Sequence, residues 1–212
     1  MPKIKLPKKS PHIDMTPMVD LFTLLLTFFI LTATTRPQEP APVDTPFSVS
    51  EKVVMDANIM TVMLAADNRV FFNVDNGPDT ILHFRPKILA EMGKRYNIEF
   101  TTDELRKFEK GNTAFGVPIQ QMKAYLAAGN MKDREALEVK GIPIDSADNQ
   151  LALWILFSRQ INPAVQTLIK GDANVDYPIV KEVLDILQDK NVNRFNLITN
   201  LEAVKVEQVI TE

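Results

Sequence analysis

HIDMTPMVDLFTLLLTFFILTATTRPQ, His12 to Gln38, decides how the rest of the chain must be read. Between Met15 and Thr35 lie 21 residues carrying a single charge, Asp20. A run of that length and polarity predicts one helix able to cross a bilayer. An acid inside it then needs a reason of its own, because an ionisable group in a span costs at least ~2.5 kcal/mol.

The flanks of the run set its direction. The first 11 residues, MPKIKLPKKSP, hold four lysines (Lys3, Lys5, Lys8 and Lys9) and no acid. A basic start before an apolar run places the N-terminus in the cytoplasm and the C-terminal side of the run outside. The same start also fits a cleaved signal peptide, with its apolar core from Leu21 to Leu31 and small residues near Ala33. Asp20 weighs against that reading, since a signal peptide has no use for an acid opening its core. For an anchor, Thr16 is expected to cap the helix and Pro17 to sit at its first position, where a missing N–H costs nothing. Arg36 and Pro37 end the span.

At 100° per residue, Thr16, Asp20, Thr23, Thr27 and Thr34 fall within a sector of about 60°. Thr32 and Thr35 lie off it, and Leu, Phe and Ile occupy the other faces. Two readings of the threonines stand side by side. They line a polar path toward partner helices or water, or they bond back to their own backbone and are merely tolerated. Neither reading of the threonines disposes of Asp20. A carboxyl group in a low-dielectric setting favours its neutral form, so it can gain and lose a proton as its surroundings change. The membrane potential supplies ~2.3 kcal/mol per charge per 100 mV. Asp20 is thus the candidate proton-binding and coupling residue.

Composition narrows the remaining classes. The 212 residues are 45% hydrophobic and 24% charged, an ordinary globular mix. A net charge of −3 argues against nucleic acid as a partner. There is no cysteine, hence no disulfide framework and no thiolate nucleophile. Two histidines, His12 and His83, make a multi-histidine metal site unexpected, and no cofactor other than protons is called for. No zinc motif or Gly-rich phosphate loop suggests an enzyme.

Beyond the run, Arg36 to Pro46 has four prolines in 11 residues and predicts an extended spacer. Ile59 to Ala65 and Arg69 to Val74 read as two strands about an Asp67–Asn68 turn. Ser146 to Gln160 predicts a helix, Val165 to Lys170 a strand, Pro178 to Asp189 an amphipathic helix, and Arg194 to Thr199 a last strand. The order ββαβαβ implies a small α+β domain with helices on one face of a sheet. Residues 75–145 interrupt it. They hold a capping-box helix start at Thr101–Glu104 and a second helix from Pro118 to Gly129, and read as a helical insertion. Asp172 and Asp176 could suggest metal or acid–base chemistry, but short strand-to-helix loops favour Asp for turn and cap bonds. His83 reads as a packed or surface histidine.

IDMTPMVDLFTLLLTFFILTA resembles the ExbD/TolR family of proton-channel stator subunits. The shared pattern is I-x-x-T-P-x-[IV]-D before an apolar span, filled here by Ile13, Thr16, Pro17, Val19 and Asp20. IKGDANVDYPIVKEVLDILQDKNVNRFNLITNLE, Ile169 to Glu202, is similar to the family's last strand–helix–strand unit, and VMLAADNRVFFNV, Val62 to Val74, to its first periplasmic hairpin. VDTPFSVSE does not reproduce the family's segment after the span, and no residue role is carried over there.

The resemblance implies a chain laid out as a basic cytoplasmic tail (1–14), a transmembrane helix (15–35), a linker (36–58) and a periplasmic α+β domain (59–212) with its insertion at 75–145. It implies a single-pass protein of the inner membrane of a Gram-negative-type bacterium. It further implies an ExbB/TolQ-like multispan channel partner, a TonB/TolA-like transducer and a homodimer within the hetero-oligomer. Asp20 takes the protonated position, with Thr16, Pro17, Thr23, Thr27 and Thr34 as its polar stripe and helix start. Envelope maintenance of the TolR kind, with cell-wall binding, shares Asp20 and stays open. So do the same motor applied to secretion or surface motility, and an anchored scaffold or envelope enzyme without proton chemistry.

Overall fold

A computed structural model describes residues 15–33, 40–48, 57–77, 82–111, 113–146 and 148–201. The chain divides into two compact units, 1–37 and 38–212. In the first, helix α1 runs over Thr16–Thr32. It begins one residue before the expected start. Met15 is already αR, and its carbonyl accepts the Val19 N–H at 3.0 Å. Thr16 is therefore helical rather than the cap, and Pro17 still falls within the first turn, where no N–H is needed. The helix also stops short of residue 35, because Ala33 turns extended. A cluster of β-branched threonines is a poor helix end-run. Thr34, Thr35 and the basic tail lie outside the described residues.

The second unit is built on a four-stranded mixed sheet. Strands β2 (Ile59–Leu64) and β3 (Val70–Val74) form an antiparallel hairpin, as the apolar, β-branched character of the stretch and its Asp67–Asn68 turn predict. Asn68 takes the left-handed turn position (φ 66°), and the Asp67 carboxylate accepts the Arg69 N–H. Strand β4 (Gln166–Gly171) lies parallel to β2, and β5 (Phe195–Ile198) parallel to β4, giving the order β3-β2-β4-β5. Parallel pairs need crossovers. Helix α7 (Tyr177–Asp189) supplies the second, burying Val183, Ile186 and Leu187 on one face.

Helix α6 (Gln150–Ile161) precedes β4. It starts four residues after the expected Ser146, since Asn149 is the residue whose side chain caps it, accepting the Ala152 N–H at 2.9 Å. Its Trp154 is wholly buried among Phe72, Phe108 and Phe115, with ring centroids 5.0–6.2 Å away. Side chains of this size each contribute roughly 1.5–3 kcal/mol on burial.

The stretch expected as an insertion is part of this core. Helix α2 (Phe84–Tyr96) buries Ile88, Leu89 and Met92 and packs on α6. Helix α3 (Thr102–Lys110) has the expected capping box, with reciprocal bonds between Thr101 and Glu104. The helix expected from Pro118 to Gly129 is shorter and split. A 3-10 turn at Ile119–Gln121 leads into α4 (Met122–Ala127), because Ala128 turns extended. Helix α5 (Met131–Leu137) comes next and tightens into a 3-10 turn at Glu138–Lys140. The segment then closes onto the edge of β3. Phe115 and Phe72 exchange two backbone bonds of 2.9 Å, and the Ile142 N–H reaches the Val70 carbonyl. Gly141 (φ 68°) permits that approach, since a Cβ there would stand 2.9 Å from the Val70 nitrogen.

Residues 40–48, within the expected spacer, lie against this unit rather than standing off from it. Ala41 and Thr45 are buried, and strand β1 (Phe47–Ser48) pairs in parallel with β6 (Asn200–Leu201). Ala41 joins Met63, Ala65, Phe71 and Ala114 in a small apolar cluster apart from the main core.

Candidate functional site

Every residue from 15 to 33 on α1 is exposed within the chain. The surface is mostly Leu, Phe, Ile, Val and Met, interrupted by four threonines and Asp20, with Phe22 60% and Leu31 85% exposed. A continuous apolar surface of this kind marks a site of contact with protein or lipid. Among the described residues, no helix is long and apolar enough to cross a membrane.

Of the predicted stripe, Thr16, Asp20, Thr23 and Thr27 fall on the described helix, and Thr34 lies outside it. Thr23 and Thr27 spend their hydroxyls locally. Thr23 Oγ1 donates to the Val19 carbonyl at 2.7 Å and Thr27 Oγ1 to that of Leu24 at 2.9 Å. Thr32, off the stripe, does the same to Phe28 at 2.8 Å. Back-bonding hides a hydroxyl proton from an apolar medium but does not single out one face. Asp20 differs from them: it has no hydrogen-bond or ion-pair partner among the described residues. An aspartate cannot satisfy two carboxylate oxygens from its own helix interior, where the N–H groups are already taken.

The other residues weighed from sequence are structural. Asp172 is buried and accepts the N–H of Asp44 at 2.8 Å and of Asn174 at 2.9 Å. Those bonds hold its carboxyl below the usual aspartate range. This is the expected turn role, extended to clasping residue 44. Asp176 stands at the α7 N-cap but makes no side-chain cap bond. Its carboxylate instead takes the Asn68 amide at 2.6 Å, tying the α7 start to the β2–β3 turn. His83 is an exposed, left-handed residue ahead of α2 and pairs with Glu109. Among the described residues no group of three or more His, Asp or Glu is placed to hold a metal ion.

Sequence reasoning missed Arg85. It is 1% exposed, yet its guanidinium donates to the carbonyls of Phe108, Val74 and Gly111 and to Asn73 Oδ1 at 2.6–3.1 Å. Its cation also lies 4.5 Å over the Phe108 ring. Burial pulls its pKa down to about 10, still well above neutral, so the charge persists. No local motif announces it, because its acceptors come from two stretches of chain, 73–74 and 108–113, distant from each other in sequence.

The model of the family described as "Biopolymer transport protein ExbD/TolR" matches residues 7–202. No curated protein and no solved structure gives a significant match. The family match runs from the basic tail through α1, the spacer and the sheet unit to Glu202, nearly the whole chain. This chain belongs to the ExbD/TolR family of biopolymer transport proteins.

Proposed function

We propose that the protein is a stator subunit that couples the proton motive force to transport across the envelope, with Asp20 as the residue that takes and releases the proton. The observation that carries this reading is the contrast within α1. Every threonine hydroxyl with a described bond on that helix is spent on a backbone carbonyl, while the single carboxylate has no partner among the described residues. A group left in that state on an apolar helix needs a partner helix or water from another subunit.

Seventeen residues rise about 25 Å, and the uncharged run in the sequence continues to Thr35. The helix with its flanks then serves as a single span, N-terminus in the cytoplasm and the sheet unit in the periplasm. The apolar faces meet lipid and an ExbB/TolQ-like channel subunit. Two copies present two Asp20 side chains to that channel. The output passes through residues 38–212 to a TonB/TolA-like transducer, and no catalytic step is assigned to the chain.

Asp20→Asn is the test. It keeps size and polarity but cannot change charge. The expected result is normal co-purification with the multispan partner and complete loss of gradient-dependent transport. Normal energised transport in the Asp20→Asn strain would end this reading.

A further inference from the structure

The sheet unit contains a cavity of about 320 Å³ that the coupling function does not use. Its walls come from Pro40, from Thr113 and Ala114, from Tyr125 on α4, from Gly129, and from Met131, Arg134, Glu135 and Glu138 on and after α5. Glu138 is 2% exposed and Tyr125 7% exposed, so the polar end of the cavity is buried. The Glu138 carboxylate accepts the Gly116 N–H at 3.2 Å and sits by the Tyr125 hydroxyl. Burial pushes the Glu138 carboxyl above its ordinary range. A glutamine would fill the same space without that penalty, so the acid calls for a reason other than stability.

The nearby cations Arg69 and Arg134 attract it without forming an ion pair with it among the described residues. Arg69 is occupied by Asp67 at 2.6 Å, and it reaches only the backbone carbonyl of Glu138. Arg134 stands one helical turn before Glu138 and lines the same cavity. No ion pair joins the two among the described residues. The Arg134 guanidinium instead lies 5.4 Å over the Tyr125 ring and gives Nε to the Ala128 carbonyl, leaving its terminal nitrogens available. One cavity therefore holds the Glu138 carboxylate and the Arg134 guanidinium side by side, neither in a salt bridge among the described residues, with Glu135 also on its wall and Ala114 and Met131 as apolar walls.

We propose that this cavity binds a free amino acid, its ammonium group at Glu138 and Tyr125, its carboxylate at Arg134 and its side chain against Ala114 and Met131. The volume stands at the lower end of small-molecule sites, which suits a ligand of that size. The carboxylate and the guanidinium would each gain a directly bonded partner of opposite charge, in a setting where charge-assisted bonds are strong. The proposal is independent of Asp20 and of the coupling reading.

The test is calorimetric titration of the full chain in detergent micelles with each of the common amino acids. At least one should saturate the protein at or below about 1 mM. Its N-acetyl and its amide derivatives should each bind about tenfold more weakly or worse, as expected for a lost charged hydrogen bond. Glu138→Gln should weaken the parent by at least about tenfold while leaving its N-acetyl derivative unaffected. Arg134→Met, on the more exposed helix, makes the matching test of the carboxylate and stands in if the Glu138 variant unfolds. Absence of saturable binding by every amino acid, or equal binding of parent and N-acetyl derivative, overturns the proposal. Dialanine binding more tightly than every free amino acid also overturns it, in favour of peptide ends.

Discussion

Asp20 and Arg85 are two charged side chains that the chain handles in opposite ways. Arg85 lies buried in the sheet unit, and its guanidinium finds four carbonyls, those of Phe108, Val74, Gly111 and Thr113, and an amide oxygen there. Asp20 lies on the apolar surface of α1 and finds no partner among the described residues. A buried charge that is fully bonded fixes one structure, because every alternative leaves it unpaired. A charge left without partners on an apolar face is an unfinished site that another subunit or water must complete. Under the proposed coupling role, the difference separates a structural charge from one kept free to change its state.

The widest gap between the two should appear in function. Asp20→Asn is expected to abolish energised transport and leave the sheet unit's unfolding curve unchanged, read by the fluorescence of the single tryptophan, Trp154. A loss of stability in that unit would break the comparison, since α1 belongs to the other compact unit. Arg85→Met should do the reverse at the level of folding. It strands the Val74, Phe108 and Gly111 carbonyls together with Asn73, at a cost of about 3 kcal/mol or more. Urea unfolding of the full chain in micelles measures it, and a cost under about 1 kcal/mol would show that water replaces the guanidinium.

Acid should have a smaller effect, confined to the sheet unit. The carboxyl of Asp172 is held low by the N–H groups of Asn174 and Asp44, and that of Asp148 by the Tyr96 hydroxyl at 2.5 Å. A carboxyl held low in the folded chain stabilises it above the unfolded value, about 3.9 for aspartate. That stability is lost as pH falls through the lower folded value. Near-neutral stability should therefore be flat in these two groups, with the decline beginning below about pH 4. Hydrogen exchange at the Asp44 and Asn174 amides should accelerate in the same range, and Asp172→Ala should reproduce that local change at pH 7. Unaltered exchange in Asp172→Ala would show that β1 pairing, not this carboxylate, seats residues 40–48.

The sequence made some of these features plain and hid others for definite reasons. Asp20 was visible because a single acid in an uncharged run contrasts with all its neighbours. The β2–β3 hairpin, β4, α7 and β5 were visible because Ile59 to Ala65 is apolar and β-branched ahead of an Asp67–Asn68 turn, while Val180, Val183, Leu184 and Leu187 follow the helical period. Helix α2 was not. Pro86 near its start reads as a breaker, and His83 enters it with no side-chain cap. Ile88, Leu89 and Met92, with the left-handed Asn97 after them, were the available signal. Helix α5 shows no apolar stripe, since none of its residues is buried. The cavity draws on α4, α5 and residues 113 and 114, and no spacing along the chain announces that meeting.

The smallest effect expected bears on the stripe itself. If Thr23 and Thr27 only hide their hydroxyl protons in the backbone, valine should replace both with little loss, because shape is kept and the donor disappears along with its need. Thr32→Val is the internal control. Thr32 back-bonds in the same manner but lies off the stripe. The double variant Thr23→Val/Thr27→Val is expected to keep energised transport within about threefold of the parent, under about 0.7 kcal/mol in rate, and to match Thr32→Val. A loss approaching that of Asp20→Asn, with Thr32→Val unaffected, would mean that the oxygens accept bonds from a proton path. The stripe, and not Asp20 alone, would then be the unfinished site. Equal and small effects leave one acid on an otherwise self-satisfied helix, which is the sharper form of the contrast with Arg85.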